Sequence, residues 1–346
     1  MTAVSPAVAV MCRAPMRVSL AGGGTDLPSY ASRFGGRVLT MAIDRFVTVS
    51  LLARSFDGSV TAAFEETQVT AGVEHLHNAI ARVALHRHGV HSGLQIASFT
   101  DAPSGTGLGS SAAFGVALLG ALAEAEGRVP DPVRLAEDAG EVERTDLRRP
   151  VGKQDHYAAA LGGVLLLDID RSGRVTPAPV AVPPRTTDYL SHRLLVFHVG
   201  QRRDAGAVLD AQATSTASGD RGTIERLHAL RALVEPMLSA VTAGAVDEIG
   251  PLLDRQWRIK RELSPHVSTS TVDRLYDLAR RHGADGGRLL GAGGGGCLLV
   301  SVEEGRQPDL RAAMAAAGAH EIPFIPFAGG AAATALPLTS RDHDCA

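Results

Sequence analysis

Aromatic residues and cysteines are scarce in this chain of 346 residues. Aromatic side chains make up 4% of it, with a single tryptophan, and there are three cysteines: Cys12, Cys297 and Cys345. The cysteines form neither a CxxC pair nor a zinc-ligand spacing, so no disulfide framework or cysteine zinc site is expected. A reduced, cytoplasmic setting is the simpler prediction. No uncharged apolar run reaches about 18 residues, so no membrane-spanning helix is expected.

Net charge is also small, and two well-known nucleotide motifs are absent. The formal charge of -3 gives no general attraction to nucleic acid or to an anionic membrane. The sequence contains neither a GxxxxGK[ST] loop nor the HRD and DFG motifs of protein kinases. Any nucleotide site must therefore be of another type.

The length favours about two domains, at roughly 150 residues each. Four prolines in residues 177–184 interrupt the pattern, which predicts a boundary near residue 188. The Ala- and Gly-rich residues 328–335 are predicted to form a surface connection. Strands are predicted at 17–21, 38–52, 94–96, 163–168, 194–198 and 297–302, and helices at 74–88, 112–126, 133–144, 156–161, 223–243 and 271–282.

Glycine is abundant, and the 38 glycines gather in three clusters. In the second cluster a predicted strand runs into PSGTGLGSS (residues 103–111) and then into an Ala-rich helix. Glycines allow consecutive backbone N–H groups to face phosphate oxygens, and the helix adds its positive dipole end. Ser110 and Ser111 stand where a hydroxyl can reach a phosphate-bound Mg²⁺. The alternative is a serine N-cap on an ordinary helix after a flexible loop.

Three ordered motifs give the chain a family resemblance. They are APMRVSLAGGGTD (residues 14–26), PSGTGLGSSAA (103–113) and GAGGGGC (291–297). Together they resemble the GHMP kinase superfamily, and RAPMRVSLAGGGTDLPSY, VGKQDHYAAALGG and GADGGRLLGAGGGGC are most similar to its D-glycero-D-manno-heptose 7-phosphate kinases. Fucokinase-like sugar 1-kinases share much of this pattern.

The resemblance implies a two-domain α+β enzyme. Residues 1–188 would form a ribosomal S5 domain 2-like half that carries the ATP phosphate loop, and residues 189–346 a ferredoxin-like half. The implied reaction is ATP-dependent phosphorylation of the anomeric hydroxyl of a heptose 7-phosphate, giving the 1,7-bisphosphate. The alternatives are an anomeric kinase for an unphosphorylated sugar such as L-fucose, or a non-catalytic sugar or nucleotide sensor. A monomer or homodimer that binds only small molecules is expected.

The resemblance also assigns roles to individual residues. Asp155, in GKQD, matches the catalytic aspartate, which acts as a general base or by orientation and charge alone. Arg17 matches the basic residue beside it, and Ser111 with Glu143 matches the pair that holds Mg²⁺. The predicted ATP phosphate cradle consists of Pro103, Gly105, Gly107, Leu108, Gly109, Ser110 and Ser111.

Substrate contacts are expected at the first glycine cluster and at basic residues. Gly24, Thr25 and Asp26 match the turn that contacts sugar hydroxyls, and galactokinases carry GEHTD where this chain has GGGTD. Arg203 matches a basic position of the heptose kinases, with Lys153 and Arg202 as further candidates for the distant phosphate. Arginine suits that task because its planar fork binds two oxygens.

Overall fold

The computed structural model describes residues 8–54, 56–103, 105–200 and 205–337. Arg202 and Arg203 lie outside the described residues. Within them the strands are β1 (Val8–Ala21), β2 (Gly36–Ala53), β3 (Val60–Ala63), β4 (Thr67–Thr70), β5 (Leu94–Thr100), β6 (Val164–Ile169), β7 (Val175–Pro179), β8 (Leu194–His198), β9 (Ala284–Leu289), β10 (Cys297–Val302), β11 (His320–Glu321) and β12 (Ala332–Pro337).

Twelve α-helices occur in the same described ranges. They are α1 (Pro28–Phe34), α2 (Ala79–Arg87), α3 (Ser110–Ala125), α4 (Pro132–Glu141), α5 (Gln154–Leu161), α6 (Pro184–His192), α7 (Ala205–Ala217), α8 (Arg221–Ala232), α9 (Val234–Ala243), α10 (Ile249–Arg261), α11 (Ser270–Arg281) and α12 (Gln307–Ala316). None of the helices in this part of the chain has both the length and the apolar character that a membrane crossing needs.

The strands form two sheets. The first has the order β12-β1-β2-β5-β3-β4, with β6 and β7 continuing from the other half of the long strand β2. Its pairs are antiparallel except for the parallel pair β3–β5. The second sheet has the order β11-β8-β10-β9 and is antiparallel. This is the predicted mixture of helices and sheets.

Helix α3 is the centre of the first sheet's core. Twelve of its residues are buried, and most of them are alanine, glycine or leucine. The small residues allow close contact with β1, since a Cβ on Gly120 would lie 2.8 Å from the sulfur of Cys12. The helix ends before Gly127, whose positive φ of 70° suits the turn that follows a helix. The core between α3 and β1 is filled without many aromatic side chains, because the two backbones lie close together.

Three predicted elements differ from the structure. The predicted helix 223–243 is two helices, because Pro236 lacks an N–H and blocks the preceding turn, so α8 ends at Ala232. The predicted helix 74–88 begins only at Ala79, where the Asn78 side chain accepts from Ala81 N. The predicted surface connection 328–335 enters β12, which pairs with β1 in the first sheet.

The boundary near residue 188 stays a prediction. The second sheet is built entirely from strands after that point, within the described residues. Strand β12 departs from the predicted division, because it belongs to the sheet of the first half although it comes last in the chain.

Candidate active site

The loop between β5 and α3 ends in a helix start that has no side-chain cap. Gly109 occupies the N-cap position with φ 82° in the left-handed region. The first N–H groups of a helix have no partner within it, so those of Ser110 and Ser111 are available to an anion. A Cβ on Gly109 would lie 3.3 Å from Oδ2 of Asp155. The anion-binding end of α3 therefore adjoins that carboxylate.

A cavity of about 570 Å³ opens beside this helix start. Gly105, Ser110, Ser111 and Arg149 lie at the loop side of its lining. Further polar residues line it: Glu65, Glu66, Gln68, His77, Asn78, Ser98 and Thr100. Apolar side chains line it too: Val47, Phe64, Ile80 and Phe114. Phosphate groups on the loop and a planar apolar base in the cavity would suit this mixture. The sequence analysis missed the apolar residues, which come from separate elements and carry no common motif.

The third glycine cluster supports the phosphate loop from behind. A Cβ on Gly291 would lie 2.5 Å from the Cα of Gly107, and one on Gly107 would lie 2.7 Å from the carbonyl oxygen of Leu290. Leu108 is fully buried, and its carbonyl accepts from Arg17 N at 2.9 Å. The carbonyl of Pro103 accepts from Thr106 at 3.0 Å. Leu108 and Pro103 thus hold the loop's shape.

Arg17 and Asp155 form a bidentate ion pair. Nε of Arg17 donates to Oδ1 and Nη2 donates to Oδ2, both at 2.8 Å. Nη1 donates to the carbonyl of Gly107 at 2.5 Å, so the same guanidinium also holds the phosphate loop. The side chain of Arg17 is 3% exposed, whereas that of Asp155 is 29% exposed. A substrate can therefore reach the carboxylate while the arginine fixes it from inside.

Ser111 and Glu143 meet, although they come from different helical segments. The hydroxyl of Ser111 donates to Oε2 of Glu143 at 2.9 Å. Glu143 lies in a π-helical turn, Val142–Asp146, that directly follows α4. Such turns are rare and occur often at functional sites. The predicted uniform helix 133–144 did not include this change of helix type, which turns Glu143 toward α3.

Glu143 is a buried carboxylate that stays ionised. Burial would raise its pKa, but hydrogen bonds and charge from His156, with further bonds from Ser111 and Arg149, lower the pKa to about 2. His156 Nε2 lies 3.2 Å from Oε1, and Arg149 Nη1 donates to Oε2 at 3.1 Å. The ionised carboxylate of Glu143 therefore places negative charge beside Ser111 at the start of α3. The described residues contain no group of three or more His, Cys, Asp or Glu suited to a metal.

The first glycine turn is tied to the start of α5 by Asp26. Its Oδ2 accepts from the backbone N of Lys153 at 2.9 Å and of Gln154 at 3.1 Å, and Oδ1 accepts from Gly24 N at 3.1 Å. Burial raises the pKa of Asp26, and the backbone donors oppose this rise. Thr25 is fully buried, and its hydroxyl bonds within the turn to Gly22 O and to the backbone of Arg37.

The four predicted substrate residues that the structure describes thus all have structural partners. Asp26 and Thr25 hold the turn, and the ammonium of Lys153 lies 2.8 and 2.9 Å from the two carboxylate oxygens of Glu137. Gly24 is partly exposed, and its carbonyl accepts from Nε2 of Gln212 on α7 at 3.2 Å. Gln212 was missed, because a lone glutamine on a helix carries no motif.

Two buried basic residues from the second half were also missed. Arg288 on β9 is 1% exposed and Lys260 on α10 is 5% exposed. Arg288 Nη1 donates to Oε1 of Gln256 at 2.9 Å, and the ammonium of Lys260 donates to the carbonyl of Gly291. Burial, then the charges of Arg288 and Arg17, hold the pKa of Lys260 well below its usual range. Burial and the charge of Arg17 lower the pKa of Arg288 to about 10.

Comparisons with known proteins place the chain in one enzyme family. Residues 74–163 match the GHMP kinases N terminal domain, and residues 237–320 match the GHMP kinases C terminal domain. A D-glycero-alpha-D-manno-heptose 7-phosphate kinase of Campylobacter jejuni is 27% identical over 315 residues, which cover 87% of this chain and 91% of that protein. A bifunctional fucokinase/GDP-fucose pyrophosphorylase of Arabidopsis thaliana is 26% identical over 84% of this chain but only 29% of its own length.

A solved structure shares the fold across nearly the whole chain. The crystal structure of a D-glycero-D-manno-heptose 1-phosphate kinase from Bacteroides thetaiotaomicron gives a TM-score of 0.77 at 23% identity, covering 94% of this chain and 98% of that one. The predicted family and its two-domain α+β fold are confirmed. Because both family domains occur in order and together make up half of the sequence, the chain belongs to the GHMP kinases and is a phosphotransferase that acts on a sugar.

Proposed function

We propose that the protein transfers the γ-phosphate of ATP to the anomeric hydroxyl of a D-glycero-D-manno-heptose 7-phosphate, giving the 1,7-bisphosphate. The observation that carries the proposal is the pair Arg17–Asp155 beside the uncapped start of α3. A partly exposed carboxylate next to a phosphate-binding helix end suits transfer between a nucleotide and a hydroxyl. The relative from Campylobacter jejuni is named for the heptose 7-phosphate.

Asp155 is the proposed partner of the sugar hydroxyl. The hydroxyl oxygen attacks the γ-phosphorus, the bond between that phosphorus and the ADP oxygen breaks, and the hydroxyl proton passes to Asp155 and then to solvent. Each Asp155 oxygen already accepts one bond from Arg17 and keeps a lone pair for the hydroxyl. Arg17 fixes the carboxylate plane and the carbonyl of Gly107, so one guanidinium aligns the acceptor with the phosphate loop.

Ser111 and Glu143 are the proposed holders of Mg²⁺. Their oxygens lie 2.9 Å apart at the helix start, and Mg²⁺ commonly takes one or two protein oxygens besides phosphates and waters. The low pKa of Glu143, about 2, supplies the negative charge that the ion needs. When bound, Mg²⁺ neutralises charge that develops on the transferred phosphoryl group.

An unphosphorylated sugar such as L-fucose is the second candidate substrate. The observation that favours it is the ion pair between Lys153 and Glu137, because it engages one of the cations assigned to the distant phosphate. The fucokinase of Arabidopsis thaliana adds similarity at the sequence level. Arg203 remains the proposed phosphate clamp for the heptose substrate. A regulator without catalysis is disfavoured, because the pair of Arg17 and Asp155 is intact.

Purified protein with Mg·ATP and a panel of sugars tests the proposal. We expect ADP release with heptose 7-phosphate, and a product whose phosphorus NMR couples to the anomeric proton. The structural relative from Bacteroides thetaiotaomicron is named for a 1-phosphate, so the position of the new phosphate has to be read directly. Turnover of L-fucose alone would replace the first candidate by the second. No ADP release with any sugar or sugar phosphate would refute both.

A further inference from the structure

Two buried polar side chains, Ser19 and Arg288, and the partly buried Gln154 converge at Gly23, between the first glycine turn, α5 and β9. A Cβ added to Gly23 would lie 3.1 Å from Oγ of Ser19, 3.4 Å from Nη2 of Arg288 and 3.5 Å from Nε2 of Gln154. Gly23 itself is buried, and its φ is outside the left-handed region. Its backbone conformation would therefore allow another residue. The absence of a side chain leaves a small polar recess, which we call the Gly23 recess.

Atoms around the Gly23 recess lack partners within the described part of the chain. Oγ of Ser19, Nε of Arg288 and Oε1 of Gln154 are buried without a hydrogen bond there. Ser19 is 2% exposed and Arg288 is 1% exposed. Of these three atoms only Oγ of Ser19 faces the recess, where the atoms of Arg288 and Gln154 that face it are the donors Nη2 and Nε2. A buried hydroxyl without a partner beside two donor groups indicates a ligand that accepts hydrogen bonds.

The charge around the recess is unbalanced in favour of cations. Arg288 has no carboxylate within ion-pairing distance among the described residues, and its Nη1 donates to the amide oxygen of Gln256. Arg17 and Lys260 lie close enough for their charges to act on one another and on Arg288. Asp155 pairs with Arg17, and Asp155 and Asp26 also act on Lys260, which leaves Arg288 as the cation without a counter-charge. A buried cation without a counter-charge is costly, and an arriving anion would relieve the repulsion. The hydroxyl, guanidinium and amide also supply the N–H and O–H donors that an anion needs.

We propose that Ser19, Gln154 and Arg288 form a subsite for a phosphoryl oxygen beside Asp155. Gln154 precedes Asp155 in α5, and the recess belongs to the first glycine turn, so the subsite lies on the acceptor side of the catalytic pair. The oxygen comes either from a phosphate that the sugar already carries or from the phosphoryl group in transfer. This inference deepens the proposed kinase function and rests on it for the identity of the oxygen, although the binding of an anion does not.

Calorimetric titration with inorganic phosphate tests the subsite. Mg·AMP-PNP first saturates the nucleotide loop, so that added phosphate reports a separate site. Ser19→Ala removes a hydroxyl that has no partner, and Gly23→Ala fills the recess. We expect each to weaken phosphate binding about 10-fold or more, since a bond to a charged group contributes about 1.5–3 kcal/mol. The matched controls are Ser59→Ala, another buried unpartnered hydroxyl, and Gly305→Ala, which has open space around it.

The stability of Ser19→Ala separates binding from structure. We expect its free energy of unfolding without ligand to equal or exceed that of the unmodified protein, because no hydrogen bond is lost. Destabilisation with unchanged phosphate binding would overturn the proposal, as would a nucleotide-loaded protein that binds no phosphate. If only water occupies the recess, the nucleotide-loaded protein binds no phosphate.

Kinetics then identify the source of the oxygen. If it belongs to the acceptor, Ser19→Ala and Arg288→Lys raise KM for heptose 7-phosphate at least about 10-fold more than for unphosphorylated heptose. If it belongs to the transferred group, both variants lower kcat equally with either sugar. Unchanged KM and kcat in both variants would overturn the proposal. An inactive protein that still shows variant-sensitive phosphate binding would refute the proposed kinase substrate while leaving the subsite intact.

Discussion

Asp26 caps the backbone of Lys153, 127 residues further along the chain. Its Oδ2 accepts the N–H of Lys153 at 2.9 Å and the N–H of Gln154 at 3.1 Å, at the start of the helix that carries Asp155. Gly152 makes room for this contact, because a Cβ there would collide with the carboxylate. One side chain from the first glycine turn thus sets the position of the catalytic helix.

The cap predicts the effect of Asp26→Asn. The amide offers one oxygen where two backbone donors and Gly24 N require two, so a buried N–H loses its acceptor. We expect a loss of about 1–3 kcal/mol in the free energy of unfolding and a lower kcat, with KM for ATP nearly unchanged. Urea denaturation and steady-state kinetics measure both. Asp44→Asn is the matched control, because its Oδ1 accepts from the backbone of Ile325, in a contact that does not involve α5; an equal loss of kcat there would contradict the prediction.

The ion pair predicts non-additive kinetics for Arg17 and Asp155. Asp155→Asn removes the charge and the proton acceptor, and we expect kcat to fall about 10²–10⁴-fold. Arg17→Met leaves Asp155 unaligned, so the double variant should be little worse than Asp155→Asn alone. Rapid-quench measurement of a single turnover checks this without interference from product release. The control Asp168→Asn breaks another pair with arginine, at an exposed position on β6, and should retain activity. Full additivity would show that the two side chains act separately.

Glu143 predicts a pH-dependent part of the stability. Its pKa of about 2 in the folded protein lies below the ordinary value of 4.5, so its contribution is complete above pH 4.5 and is lost as the pH falls toward 2. The contribution is on the order of 3 kcal/mol. Unfolding free energies of the unmodified protein and Glu143→Gln, measured from pH 6 down to about 3, should therefore converge as the pH falls. Parallel curves would contradict the prediction.

The apolar lining of the cavity predicts a nucleotide-specific effect. Phe64 packs edge-to-face on Phe114, with 5.5 Å between ring centroids. Phe64→Leu keeps an apolar side chain but removes the ring, and aromatic contacts contribute about 0.5–1.5 kcal/mol. We expect KM for ATP to rise about 2- to 10-fold, with KM for the sugar unchanged. Phe99→Leu, at a ring that is 62% exposed, is the control. A larger change in KM for the sugar than for ATP would place the sugar in this cavity instead.

The sequence predicted correctly which residues lie together, but it predicted less well what each side chain contacts. Arg17 with Asp155, and Ser111 with Glu143, were inferred as pairs and are hydrogen-bonded in the structure. Asp26 and Lys153 were predicted to face the sugar, but a motif gives proximity and not the direction of a side chain. Both are engaged by protein partners, the backbone of α5 and Glu137. Their roles toward substrate stay predictions.

Buried basic residues were the hardest to anticipate. Arg288 and Lys260 stand in segments with several other arginines, and a basic residue is ordinarily solvated. Their burial depends on β9 and α10 meeting the first half of the chain, which only the tertiary structure supplies. The π-helical turn at Glu143 was missed for the same reason, since it depends on packing against α2 and α5 rather than on local propensity.

The return of the last strand to the first sheet makes the second half an insertion rather than an appended module. Phe327 N donates to Ala42 O, and β12 then pairs with β1 from Arg13 to Val8. The second sheet is therefore joined to the first by two covalent crossings instead of one. Two chain crossings limit how far the halves can separate, so Arg288 and Lys260 of the second half stay beside the glycine clusters, where Lys260 donates to the carbonyl of Gly291.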